Sequence, residues 1–164
     1  MNQHRTSINP VVREDNHQPA KRINIVSIKL VRERSMLYKD RKISSPEDAW
    51  VLFKQYLDGA DREYFVVMAL DTKNQPTAIQ TCHIGSLNSS MAHPRLIMKV
   101  AILSNATSLI LGHNHPSNDP SPSQEDVQVT KRIVEAGQLL GINVLDHIIV
   151  CDDSFVSLKE KGYV

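Results

Sequence analysis

His113-Asn114-His115-Pro116, followed by Ser123 and Asp126, is the part of this sequence best equipped for chemistry. The two histidines stand at i and i+2, where the short apolar run SLILGH, 108–113, comes to its end. In extended chain such a pair projects to one face, so both rings can reach a single ion. Three prolines stiffen the loop from Pro116 to Pro122 and keep either flanking element from running through it. Ser123 and Asp126 then enter the first turn of a helical pattern, three residues apart on a shared face. Two imidazoles and a carboxylate suit Zn²⁺, and three protein ligands leave a fourth position for water, as in catalytic rather than structural sites. Such a centre lowers the pKa of its water to about 7 and polarises a carbonyl without redox chemistry. The expectation is one zinc per chain, held by His113, His115 and Asp126.

A plainer reading exists for each residue. Ser-x-x-Asp at a helix start is close to a capping box, with Ser123 as the cap and Asp126 complementing the positive helix end. Capping explains nothing about the histidines, and the conjunction of the two motifs favours the metal. Asp126 is expected on an exposed helix end, where a change to Asn lowers zinc affinity with little loss of fold. Glu125 lies on a different helix face and Glu47 heads another helix. His147 follows Asp146 inside an apolar run and reads as a buried histidine paired to a neighbour rather than as a fourth ligand. His83 and His93 have no motif behind them, and His4 and His17 lie in the polar first stretch.

The elements that must position these residues follow from pattern. INIVSIKLV, 23–31, has strand-like spacing of β-branched residues. SSPEDAWVLFKQYLDG predicts a helix, with Ser45 as cap, Pro46 in the first turn, Glu47 and Asp48 against the dipole and Gly59 at the end. EYFVVMALD, 63–71, and TAIQTCHIG, 77–85, read as a hairpin around Lys73-Asn74-Gln75-Pro76. Residues 93–105 predict a helix with Leu96, Val100 and Leu103 on one side. The longest helical pattern, 123–140, carries Val129, Ile133, Ala136 and Leu140 on its stripe, with Gly141 as C-cap. NVLDHIIVCD and SFVSLKEKG supply two more strands. The order β-α-β-β-α-β-α-β-β implies an α/β domain around a mixed sheet.

The 164 residues, 41% apolar and 23% charged, suit one soluble domain with a real core. No apolar run approaches the roughly 20 residues of a membrane span. The first residues lack a secretory signal, which makes the cytoplasm the expected compartment. Cys82 and Cys151 sit far apart in apolar contexts and read as buried reduced thiols. Residues 1–42 hold ten Lys/Arg against four Asp/Glu, and the other 122 hold nine against fourteen. A basic arm on an acidic body could touch nucleic acid, although a solvated tail is the blander account and no aromatic-rich basic patch supports contact.

Every fixed position of His-x-His-Pro-x6-Ser-x2-Asp, the JAMM (MPN-plus, JAB1-type) metalloprotease signature, is matched by residues 113–126. Within that superfamily the chain resembles the bacterial RadC-like proteins. The likeness continues in GSLNSSMAHPRLIMKVAI, LLGINVLDHIIV and SFVSLKEKG, over roughly residues 23–164. Asn118 stands where those proteins carry glycine, and Leu96 stands where a glutamate usually follows His-Pro-Arg. The resemblance implies a single MPN/JAB-like domain, residues 23–164, built on a curved mixed sheet flanked by helices; residues 1–22, polar, with two prolines and no periodicity, read as a flexible tail ahead of it. The resemblance also implies residue roles. His113, His115 and Asp126 bind zinc, Ser123 hydrogen-bonds the tetrahedral intermediate or the water, and Glu63 is the general base that moves the proton.

The function expected is that of a zinc-dependent metallohydrolase cleaving an amide or isopeptide bond in a peptide or isopeptide substrate. The alternative is a DNA repair or recombination accessory protein, DNA being met by the basic N-terminal region. RadC-like proteins often carry a helix-hairpin-helix module for DNA, which 22 polar residues cannot form. A third reading is a metal-free scaffold, which has no reason to keep an intact ligand set.

Overall fold

A computed structural model describes residues 21–85 and 92–164. The first helix, α1 (Pro46–Tyr56), begins as its sequence predicts. Ser45 Oγ accepts from Asp48 N–H, and Asp48 Oδ2 accepts in turn from Ser45 N–H, so the cap is reciprocal. The hairpin β1 (Tyr64–Leu70) and β2 (Pro76–Ile84) follows, then α2 (Pro94–Leu103), β3 (Ser108–Asn114), α3 (Gln124–Leu140), β4 (Asn143–Val150) and the short β5 (Phe155–Ser157). Gly141 closes α3 at φ 69°, the left-handed conformation that glycine adopts without a Cβ penalty.

The five strands form one open mixed sheet in the order β2-β1-β3-β4-β5. β1 runs antiparallel to both β2 and β3, β3 and β4 are parallel, and β5 returns antiparallel to β4. The continuous apolar run of β1 has a simple cause: both faces of this strand are covered. Phe65, Val67 and Ala69 pack with Leu109 and Leu111 beneath Ile97 and Ala101 of α2 and Val129 and Ile133 of α3. Val66, Met68 and Leu70 pack with Ile110 against Ala49, Leu52 and Phe53 of α1 on the other face. Burying a side chain of that size contributes about 1.5–3 kcal/mol, so the central strands are the rigid part of the molecule.

Three expectations are corrected. Residues 23–31 form no strand: Ile23 is 91% exposed and Ile25 is fully exposed. Alternation marks which side chains a sheet would bury, but a strand also needs a partner, and residues 23–31 pair with neither outer edge of the sheet, β2 or β5. The buried side of α2 is Ile97, Met98, Val100 and Ala101, while Leu96 is exposed. With apolar residues at both 96 and 97, the pattern is a residue out of phase. On α3 the buried stripe is Asp126, Val129, Thr130, Ile133 and Gly137, and Leu140 is half exposed. Two polar residues therefore lie on the face that meets the sheet.

Candidate metal centre

The register of the sheet assembles the site. Phe65 of β1 pairs with His113 of β3, and His113 pairs with Ile149 of β4. Gly112 precedes His113 because the chain passes directly beneath Phe53, where a Cβ would come within 2.8 Å of two ring carbons. His113 is buried, and its ring lies at 6.3 Å from that of Phe65. His115 is one residue past the strand, yet its N–H still bonds Val150 O at 3.1 Å, so strand geometry persists to the second histidine.

Ser123 is the N-cap of α3: its Oγ accepts from Asp126 N–H at 3.1 Å, and Asp126 Oδ2 accepts from Ser123 N–H at 2.7 Å. The capping reading is therefore realised, and the carboxylate it orients is one of the three expected ligands. Asp126 is 2% exposed, against the expectation of an exposed helix end. The first turn of α3 abuts the sheet at β3 and β4, which covers the carboxylate. Glu125 is exposed beside it, and Glu47 remains in the first turn of α1.

His113 Nε2, His115 Nε2 and a carboxylate oxygen of Asp126 converge as one possible metal-holding group. The separations are 2.8 Å between the two nitrogens, 3.2 Å from His113 to Asp126 Oδ1 and 3.7 Å from His115 to Asp126 Oδ2. A tetrahedral zinc with N and O ligands at 2.0–2.1 Å needs donor atoms about 3.3 Å apart, and the observed spacings bracket that value. Burial pushes the Asp126 carboxyl up, but hydrogen bonds from His113 and His115 outweigh it and hold the group well below the usual carboxylate range. It is an anion at neutral pH. His115 is raised, first by its hydrogen bond to Asp126 and then by Asp119 and the charge of Glu63. The donor set fits a borderline divalent cation such as zinc.

Supporting contacts differ by residue. His115 Nδ1 donates to Asp119 O at 2.6 Å, so its orientation is set by the proline-rich loop. Asn118 in that loop has φ 60°, a conformation open to glycine and asparagine but strained for most residues. This explains why asparagine is accommodated at the position where the resemblance implies glycine. Asn118 also accepts from Asp152 N–H at 2.8 Å, which ties the loop to the end of β4. His113 Nδ1 instead meets His147 Nε2 at 2.8 Å, and His147 Nδ1 meets Thr130 Oγ1 at 2.6 Å. His147 is thus a buried histidine paired to neighbours, as expected. Asp146 turns away from that ring and accepts from Ser157 Oγ at 2.6 Å and Lys159 N–H at 3.0 Å.

Glu63 stands just before β1, and its carbonyl accepts from Gly85 N–H at 2.8 Å. Asn114, the residue between the two histidines, grips the chain on both sides of it. Its Oδ1 accepts from Tyr64 N–H and its Nδ2 donates to Arg62 O, each at 2.8 Å. His93 caps α2 by accepting from Arg95 N–H, and Leu96 supplies no acid to that turn. His83 pairs with Phe65 in register, and its Nε2 is buried without a hydrogen-bond partner among the described residues. Both cysteines are free; Cys151 is buried, and Cys82 is half-buried with a thiol pushed up to about 12 by burial. His4 and His17 lie outside the described residues.

Thr130 and Asn114 were not singled out from sequence. Thr130 lies four residues after Asp126, on the buried stripe of α3, and that spacing was the available signal. Asn114 offered none beyond its place in the motif.

Comparison with known proteins agrees with this geometry. The family model described as RadC-like JAB domain matches residues 43–163. A protein named UPF0758 from Desulforamulus reducens is 54% identical over 122 residues, covering 74% of this chain and 54% of the relative. One from Methanosarcina mazei is 50% identical over 124 residues, 76% of this chain and 54% of the relative. One from Bacillus cereus is 52% identical over 128 residues, 77% and 57% respectively. The chain thus spans about half the length of the curated relatives it matches. Among the described residues, no helix is long and apolar enough to cross a membrane.

Proposed function

The chain belongs to the RadC-like JAB domain family, and on that premise we propose that it is a zinc-dependent metallohydrolase, of metallopeptidase or isopeptidase type, with one zinc per chain. The observation that carries this reading is the convergence of His113, His115 and Asp126 at spacings that suit one tetrahedral ion. Zinc at these atoms supplies a Lewis acid for a carbonyl and lowers the pKa of a coordinated water.

The chain's own residues do the rest. Asp126 would bring a negative charge to the ion because it is held ionised, and His113 and His115 would each offer Nε2. Glu63 is the general base: its carboxylate takes a proton from the attacking water and returns it to the leaving nitrogen. Asn114 holds the backbone at 62 and 64 against β3, which fixes the approach of that acid to the ligands. The Ser123 hydroxyl accepts from Asp126 N–H and keeps its own hydrogen for the tetrahedral intermediate or the water. The substrate is a peptide or isopeptide bond. Two free thiols suit a reducing setting, and a cytoplasmic location belongs to the same reading.

Metal content, followed by hydrolysis, tests the proposal. Protein purified without added metal or chelator is expected to carry close to one zinc, lost in a His113→Ala/His115→Ala double variant. The zinc-loaded chain is then screened against peptide and isopeptide substrates beside Glu63→Gln. Loss of turnover with zinc retained supports the assignment, whereas equal turnover places the base elsewhere. Absence of zinc uptake removes the hydrolase reading altogether.

One observation favours a second reading, contact with DNA. Residues 21–42 are almost wholly exposed and carry eight Lys/Arg against two Asp/Glu. Binding through this arm should weaken steeply with salt, each phosphate contact adding close to one unit to the slope of log K against log salt. DNA affinity that is flat with salt, or unchanged on deleting residues 1–42, removes this reading.

A further inference from the structure

Behind the ligand His113 lies a buried line of polar atoms whose hydrogen-bond directions can be worked out from one end. Thr130 Oγ1 is 2.6 Å from the main-chain oxygen of Asp126, one helical turn back, and 2.6 Å from His147 Nδ1. A carbonyl can only accept, so the threonine proton goes to Asp126 O. Oγ1 is then the acceptor for His147, whose proton sits on Nδ1. His147 is fully buried and its ring meets only Thr130 Oγ1 and His113 Nδ1, with no carboxylate hydrogen-bonded to it, so it is neutral. A neutral ring protonated at Nδ1 has its lone pair on Nε2. The atom facing that lone pair, at 2.8 Å, is His113 Nδ1, which must be the donor. With Nδ1 committed as the donor to His147, Nε2 is the nitrogen of His113 left for a metal, and it faces His115 Nε2 and Asp126 Oδ1.

We propose that Thr130 and His147 are positioning residues forming a one-way hydrogen-bond relay, anchored on the main-chain carbonyl of Asp126, that locks His113 in the Nδ1–H tautomer and so keeps its Nε2 ready for the metal. The inference rests on the metal-centre reading but not on hydrolysis. The relay starts and ends on ligands, since the carbonyl that anchors it belongs to Asp126, whose carboxylate faces the same ion. Phe65 closes one side of the line, its ring 5.4 Å from His147 and edge-on, which keeps water from offering substitute partners. A buried polar pair with a merely structural role needs its hydrogen bonds satisfied in either direction; the relay requires one direction only.

Long-range proton–nitrogen spectra of the ¹⁵N-labelled, metal-free chain read the tautomers directly. The expected result is Nδ1–H at both His147 and His113, unchanged at His147 when zinc is added. Thr130→Val, close to isosteric, removes the acceptor; it should release His147 to the Nε2–H form and weaken zinc binding by roughly 10–100-fold. Thr130→Ser keeps the hydroxyl and should bind zinc within a few-fold of the parent. A proton on His147 Nε2, or none on His113 Nδ1, in the metal-free parent overturns the relay. So does a folded Thr130→Val chain with unchanged zinc affinity. If Thr130→Val does not fold, the parent spectra and the Thr130→Ser affinity still decide. Failure to cleave any substrate leaves these readouts intact, and a parent chain that takes up no zinc sinks the metal centre while the spectra judge the relay separately.

Discussion

His113 and His115 belong to one motif and face one site, yet the molecule supports them in opposite ways. His113 is on β3, buried, with Phe53 pressing from the far face through Gly112 and with His147 behind its ring. His115 lies past the strand, more exposed, and its Nδ1 is held by a carbonyl of the proline-rich loop. One ligand is set by the core and the other by a loop. A centre built this way has a fixed half and an adjustable half, and the two should fail differently.

The largest expected effect separates them outright. His113→Ala leaves a cavity and strips His147 Nε2 of its donor, destabilising the metal-free fold by about 3 kcal/mol. His115→Ala should shift it by less than about 1 kcal/mol, while both abolish tight zinc binding. Urea unfolding of the metal-free variants measures the contrast, and equal midpoints for the two would erase the distinction. Next comes Gly112→Ala. Its Cβ meets the buried Phe53 ring, an overpacking expected to cost about 1–3 kcal/mol, and it should weaken zinc binding by moving the fixed ligand. A variant as stable as the parent would mean that α1 yields easily.

On the adjustable side, Asn118→Ala places a Cβ-bearing residue without a polar side chain at φ 60° and loses the bond to Asp152. A stability loss of about 1 kcal/mol is expected, with Asn118→Gly closer to the parent; the reverse order in thermal melts would contradict the backbone account. The smallest effect is in pH. The folded pKa of His115 is raised by Asp126, so its contribution to the metal-free fold is complete below the unfolded value of about 6.5 and is lost as pH rises through the higher folded value. Metal-free Tm should decline over that window, and His115→Ala should remove the decline.

The same contrast explains what could be read from sequence. The ligands and the cap of α3 are spaced within fourteen residues, and local geometry brings Ser123 onto Asp126 whatever the rest of the chain does. The cap at Ser45 was legible for the same reason. Thr130 and His147 were not assigned a joint role, because their contact spans seventeen residues and depends on α3 lying over β4. The burial of Asp126 escaped for that reason too. Residues 23–31 show the converse failure: the alternation is real, but no neighbouring edge among the described residues receives it.

Asn114 has a consequence for how such a site tolerates change. Its one side chain spans Arg62 and Tyr64, adding a strut beyond the β1–β3 ladder between the segment bearing Glu63 and the segment bearing the histidines. If Glu63 and the histidines act as proposed, the strut ties the backbone that bears the base to the strand that bears the first histidine. The loop from Pro116 to Pro122 lies outside that strut, so a change there acts on the centre through His115, whose ring it holds, and not through His113.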